Sequence, residues 1–203
     1  MDRAARFLKG SGLPLRIPVI EMVEIGAGGG SIAQVDALQR VTVGPESAAS
    51  VPGPACYAQG GTRPAVTDAD VVLGLIEPEG FAGGSMTLRP DLSRAALREA
   101  VGDKLGLSPE MSAYAVHEMV CENMASAARV HAVERGAVIG GHTLIAFGGA
   151  APLHAARVAE KVGVLRVVVA AQCGRGLGGR LPRRPDRLRD RAQPPCDAGC
   201  VRA

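Results

Sequence analysis

Residues Thr143–Val169, TLIAFGGAAPLHAARVAEKVGVLRVVV, decide the fold class. Thr143–Phe147 is an apolar run of strand length that stops at a glycine pair, a helical stretch then extends to about Val162, and Arg166–Val169 is β-branched again. Strand, glycine turn, helix and strand in that order make a parallel pair joined by a crossover helix. The class is therefore α/β. A glycine pair at the carboxyl end of such a strand is where an open α/β sheet accepts a ligand. Close packing of helix on strand accounts for Gly148 and Gly149 equally well, and spacing alone leaves both readings open.

Upstream, Ser108-Pro109-Glu110 opens a long helix that runs towards Arg135 and ends at Gly136, with proline at the first helical position and glycine after the last. His117 and His131, both on this helix, read as ordinary helix residues. Leu92, Ala95, Ala96, Leu97, Ala100 and Leu105 recur at amphipathic spacing and predict a helix over 91–105. Thr67 and Asp68 are expected to cap a short helix through Leu73. Asp68 and Asp70 offer a cation site as the alternative, although capping alone explains Asp68.

Glycine also dominates the start of the chain. Ile17–Ile25 approaches strand alternation and runs into Gly26-Ala27-Gly28-Gly29-Gly30-Ser31, after which Ile32–Asp36 and Arg40–Val43 again read as short strands. A dinucleotide fingerprint needs a third glycine and a following helix; here Ser31 takes that place with β-type sequence behind it. A glycine turn between antiparallel strands still presents backbone N–H groups to phosphate oxygens, with Ser31 adding a hydroxyl donor. A tight turn with no ligand fits as well. The segment VGPESAASVPGPACYAQGG (43–61) is too rich in Gly, Pro and Ser for long regular structure, and a loop this long points to function or to packing on another domain.

Composition narrows the class further. Aromatics make up 2% of the 203 residues and Trp is absent, so the core must be built from Ala, Val, Leu and Ile. Eight arginines and three aspartates crowd the stretch from Gln172 onward, and without it the chain is slightly acidic. That basic tail has neither aromatics to stack on bases nor a periodic apolar face, which argues against nucleic-acid and membrane partners. Five irregularly spaced cysteines and a start without an apolar core indicate a reduced, cytoplasmic protein. Cys196 and Cys200 lack the second Cys/His pair of a metal site. No apolar run reaches the roughly 20 residues that span a bilayer.

Three phrases taken together resemble the hydantoinase A/5-oxoprolinase family: EIGAGGGSIAQVD (24–36), VGPESAASVPGPACY (43–57) and FGGAAPLHAARVAEKVG (147–163), with TDADVVLG and ENMASAARVHAVERG in the family's order between them. The resemblance implies one lobe of an actin-like/sugar-kinase-like ATPase fold, a mixed sheet with flanking helices, over 17–170. A lead-in over 1–16 and an Arg-rich disordered tail over 171–203 flank it. It assigns Gly28, Gly29, Gly30 and Ser31 to a phosphate-contacting turn and Gly148, Gly149 and Ala150 to the turn near the adenosine. Asp68 and His154 match family positions as candidate catalytic residues, and Glu21 stands where the family has Asp, a candidate for holding the divalent metal, Mg or Mn. Ala49 and Ala151 replace the more usual glycine. The implied activity is ATP-dependent opening of a small cyclic amide, a hydantoin or 5-oxoproline, with a ketone carboxylase subunit as the runner-up and a non-catalytic truncated product as the third reading. The family's first phosphate loop, of the type DVGGTFTD, does not precede Ile17. A missing N-terminal lobe and a hydantoinase B-type subunit are therefore the expected partners, and the tail has the composition of a translated wrong frame in a GC-rich gene.

Overall fold

The computed structural model describes residues 2–7, 14–19, 22–169 and 200–201. Strands β1 (Asp2–Phe7) and β2 (Pro14–Val19) form an antiparallel hairpin. Residues expected to lead in are thus half of a sheet, and the strand expected at Ile17–Ile25 begins earlier and ends at Val19. Arg3-Ala4-Ala5-Arg6-Phe7 does not alternate in the way a half-buried strand does, and it is its pairing with β2 that marks it as a strand.

The second hairpin pairs β3 (Ser31–Val35) with β4 (Val41–Ser47), in register Gln34 with Thr42 and Val35 with Val41. Asp36 closes it, its carboxylate accepting from the Leu38 and Arg40 N–H groups and pairing with the Arg40 guanidinium. The glycine run therefore connects two separate hairpins rather than partner strands. A bulge between Ser31 and Ala33 turns Ile32 onto Ala65, which starts the helical half.

Helix α1 (Val66–Val72) has no exposed residue. It lies among β3, α2 (Pro90–Leu97) and the long helix that begins at Pro109. Beyond α2 the chain widens into a π turn, Arg98–Gly102, and closes with α3 (Asp103–Leu105). The single helix expected over 91–105 thus contains one loosened turn, where Gly102 is so close to the Leu107 carbonyl that a Cβ would sit 2.8 Å from it. Helix α4 (Pro109–Glu134) matches expectation, with the Ser108 hydroxyl accepting from Met111 N–H at its N-cap. Its inner face, Ala113, Val116, Val120 and Cys121, meets Val66, Ala69, Leu97 and Val101 in the main core.

Strand β5 (Leu144–Ala146), helix α5 (Ala151–Val162) and strand β6 (Val167–Val169) reproduce the expected β–turn–α–β unit, and β5 and β6 are parallel. A two-residue strand, β7 (Cys200–Val201), adds to β6 antiparallel, so this small sheet is mixed and the last stretch is not wholly without structure. Ala125, Ala146, Ala155, Ala159, Val162 and Val167 form its own core. Ile145, Phe147 and Leu165 nevertheless stand exposed. No described helix is long and apolar enough to cross a membrane.

An ionic seam locks α4 to α5. Arg157 grips Glu118 with two hydrogen bonds of 2.6 and 3.0 Å, Lys161 reaches both Glu118 and Glu122, and Arg129 pairs with Glu122. Arg157 first, and then Lys161, hold the Glu118 carboxyl down to about 2. Because that folded value lies below the ordinary 4.5, the group stabilises the fold above pH 4.5 and loses its contribution as pH falls towards 2. Glu118→Gln is expected to lower the urea midpoint at pH 7 and to differ little from wild type at pH 2. A gap that stays constant between these pH values would show that Glu118 is not the titrating group.

Candidate functional site

The turn at 26–31 is built around inward bonds. Ser31 Oγ accepts from Gly28 N–H at 2.9 Å and donates to the Gly26 carbonyl at 3.0 Å. Its hydroxyl therefore closes the turn instead of facing outward as a donor. Gly29 offers its carbonyl to both Thr67 N–H and Thr67 Oγ1, at 2.8 and 2.9 Å, which clips the turn onto the start of α1. Gly30 bonds through its carbonyl to Ala48 N–H. Among the described residues the N–H groups of Gly29 and Gly30 have no acceptor, and beside Gly28 a Cβ would meet nothing within 4 Å. The turn has its carbonyls tied back and a face left open.

Gly148 enters α5 with φ of 91°, a left-handed conformation that favours glycine. Gly148 and Gly149 are exposed, and in the first turn of α5 Pro152 has no N–H to satisfy while Leu153 N–H donates to the Ala150 carbonyl, so the donors the helix leaves over are those that precede Pro152. The two glycine turns, some 120 residues apart in sequence, converge: a Cβ on Gly29 would lie 3.8 Å from the Ala150 Cβ and 2.8 Å from Thr67 Oγ1. Backbone donors from a turn and from a helix start thus lie next to one another, and groups of this kind suit anions.

Asp68 is placed for a different task. Its carboxylate is fully buried and accepts four hydrogen bonds, from Ala55 N–H (3.0 Å), Cys56 N–H (2.8 Å), Ala65 N–H (2.8 Å) and Ser93 Oγ (2.7 Å). It stands in the third position of α1, whose N-cap is Ala65. So it braces the 43–61 loop to α1 and α2, with both lone-pair sets of each oxygen engaged. Burial and the adjoining Asp68 charge push the neighbouring Cys56 thiol up, leaving it an inert core group. Asp70, two residues on, points the other way, so the two aspartates do not share a cation site.

Asp70 belongs to a buried cluster. Asp70 Oδ1 lies 3.2 Å from His117 Nδ1, and Asp70 Oδ2 lies 3.4 Å from His154 Nε2. The opposite ring nitrogens, His117 Nε2 and His154 Nδ1, lie 3.6 and 3.7 Å from Cys121 Sγ. Two imidazoles, with centroids 4.8 Å apart, thus run side by side from a carboxylate to a thiol. Asp70 Oδ2 and His154 Nε2 are close but not aligned as a hydrogen bond, and both are buried without a partner. The Asp70 hydrogen bond, with Cys121 behind it, raises His117 to about 10. Burial opposes the charge on His154, but Asp70 and Cys121 outweigh it and raise that ring to about 9. Burial likewise opposes ionisation of Cys121, and the two rings prevail and lower its thiol.

Of the sequence candidates, Gly28–Ser31 and Gly148–Ala150 come together, Asp68 and His154 are each buried in separate networks, and Glu21 lies outside the described residues, as does Cys196. His117 is not an ordinary helix residue. Its signal was present: Cys121 follows one helical turn later on the same face.

The sequence pattern of the hydantoinase/oxoprolinase family matches residues 3–176. The chain is 45% identical over 143 residues to the acetophenone carboxylase gamma subunit of Aromatoleum aromaticum, covering 70% of this chain and 20% of that protein. It is 34% identical over 170 residues to the 5-oxoprolinase of Saccharomyces cerevisiae, covering 78% of this chain and 13% of that protein. The crystal structure of the ATP-dependent caprolactamase from Pseudomonas jessenii superposes with a TM-score of 0.72 at 38% identity, over 81% of this chain and 24% of that one. The chain therefore spans about a quarter or less of the length of these relatives. Matched over most of its length, the chain belongs to the hydantoinase/oxoprolinase family.

Proposed function

We propose that this chain forms one side of the nucleotide site in an ATP-dependent hydrolase subunit that opens a cyclic amide of the hydantoin or 5-oxoproline kind. The observation that supports it most is the convergence of the Gly28–Ser31 and Gly148–Ala150 turns across Thr67. The N–H groups of Gly29 and Gly30, without an acceptor among the described residues, and those at the α5 N-terminus suit phosphate oxygens and, beside them, the adenosine end of ATP. Gly29 cannot carry a side chain without displacing Thr67, which keeps the backbone accessible. An amide is a poor electrophile. Transfer of the γ-phosphoryl group to its oxygen activates the carbon, so that one water adds there, the ring C–N bond breaks to give the amine and an acyl phosphate, and a second water releases phosphate from the carboxylate.

Asp68 and His154 serve here as positioning residues, Asp68 through the 43–61 loop and His154 through the first turn of α5. A divalent ion, Mg or Mn, would neutralise charge on the phosphates, with Glu21 the residue proposed to orient it. One side of a nucleotide clamp cannot align the phosphates for in-line transfer, so activity is expected only once an N-terminal lobe and a hydantoinase B-type subunit complete the assembly. Ketone carboxylation is the second reading, favoured by the kinship with the acetophenone carboxylase gamma subunit.

The test is phosphate release from ATP by the completed assembly with hydantoin, with 5-oxoproline, and with acetophenone plus bicarbonate. Stimulation by a cyclic amide, abolished by Gly29→Val and absent from this chain alone, is expected. Stimulation by the ketone alone would replace the first reading by the second. Substrate-dependent turnover by the isolated chain would overturn the incomplete-site reading.

A further inference from the structure

We propose that His117 Nε2, Cys121 Sγ and His154 Nδ1 are three ligands of a transition-metal site, with zinc as the fitting ion and Asp70 as the group that orients both imidazoles. The site is distinct from any ion that accompanies nucleotide phosphates. Imidazole and thiolate select zinc and its neighbours, whereas Mg and Mn prefer oxygen ligands.

Geometry carries the argument. With Zn–N near ~2.0–2.1 Å and Zn–S near ~2.3 Å, a tetrahedral ion separates its sulfur and nitrogen ligands by roughly 3.6 Å. The two S···N distances here are 3.6 and 3.7 Å. All three ligand atoms lie within 4.8 Å of one another, and binding would draw the two ring nitrogens together to the roughly 3.4 Å that a tetrahedral ion sets between nitrogen ligands. The outward ring nitrogens already face a carboxylate, the arrangement that fixes the tautomer and raises the basicity of metal-bound histidines. Asp70 does this for two rings at once. Seating an ion between the inner nitrogens would also fix the His154 ring, whose Nε2 now lies 3.4 Å from Asp70 Oδ2 without an aligned bond.

Charge balance agrees. A dication, the Cys121 thiolate and the Asp70 carboxylate sum to zero with both imidazoles neutral, which suits a site whose members are all buried. Binding releases the thiol proton and any proton the imidazoles hold. The ligands come from α4 (His117, Cys121) and α5 (His154), with the orienting carboxylate on α1, so one ion would tie three helices together behind the Gly148–Ala150 turn. A nucleophilic cysteine is the competing use of a Cys–His–Asp set, but Cys121 is fully buried and has no face open to a substrate.

The experiment uses the full chain with Cys173, Cys196 and Cys200 changed to Ser, checked for native circular dichroism and titrated with cobalt(II) and zinc alone. We expect one cobalt per chain with a thiolate-to-metal charge-transfer band and tetrahedral visible bands, displaced by zinc. Cys121→Ser should lose the charge-transfer band, and Asp70→Asn should weaken zinc binding about 10- to 100-fold. In the chain with Cys121 intact, zinc should also protect that thiol from iodoacetamide, read by peptide mass. Folded chain that takes up no stoichiometric cobalt, a band that survives Cys121→Ser, or alkylation of Cys121 at the same rate with and without zinc would each overturn the site.

Discussion

Asp68→Ala is expected to leave the chain unfolded at ambient temperature. The substitution strands three backbone N–H groups and the Ser93 hydroxyl in the interior, where Asp68 now accepts from all four. Each buried donor left without an acceptor costs about 1–3 kcal/mol, and a domain has only about 5–15 kcal/mol to lose. Ser93→Ala removes a single donor along with its own need for a partner, so its cost should be near 1 kcal/mol. Urea melts followed by circular dichroism separate the two. An Asp68→Ala chain with a midpoint close to that of Ser93→Ala would mean that the 43–61 loop finds other acceptors and that Asp68 is not its brace.

Gly44→Ala is the second large effect, and it joins stability to the Gly26–Ser31 turn proposed to meet nucleotide. Gly44 has φ of 69°, and a Cβ there would run into the Gly26 carbonyl, which is the acceptor for Ser31 Oγ. The left-handed backbone costs alanine about 1–2 kcal/mol. Forcing the Gly26 carbonyl away adds roughly 1–3 kcal/mol as overpacking does elsewhere. The Ser31 hydroxyl loses its acceptor, and the open face of the turn shifts. We expect a lower unfolding midpoint together with weakened ATP affinity in the completed assembly, measured by calorimetric titration below the midpoint. Unaltered nucleotide affinity in a clearly destabilised variant would separate the turn from phosphate binding.

Features set by neighbours along the chain are legible in the sequence itself. Pro109 and Gly136 bracket α4 because caps act within one turn, and Thr143–Val169 announces a parallel pair because its crossover lies within the same stretch. Glycine at 29 is recognisable as special, yet spacing does not tell ligand from packing; the structure shows Gly29 packed against Thr67 and Ala150, with open space beside its neighbour Gly28. Strand β1 is hidden because its partner, not its own composition, makes it a strand. Asp68 read as a cap is correct in kind, since it serves the start of α1, but three of its four donors come from the 43–61 loop and α2, which spacing cannot connect to it. The Asp70, His117, Cys121 and His154 cluster draws on residues up to 84 positions apart, and within it only the His117–Cys121 step is a local signal.

Helix α1 shapes how this sequence can drift. Seven residues are too few to hold a helix by themselves in water, where about 12–15 are marginal, and all seven here are buried. Val66 and Ala69 serve the main core, Thr67 the glycine turn, Asp68 the loop, Asp70 the histidines, and Val71 the small cluster with Cys56 and Leu88. No position is left as a neutral site, and each substitution perturbs a different part of the molecule. Descendants of this sequence should therefore accumulate change in the solvent-facing arcs of α2, α4 and α5 long before TDADVV admits any, so that this hexamer dates the lineage more slowly than the helices packed around it.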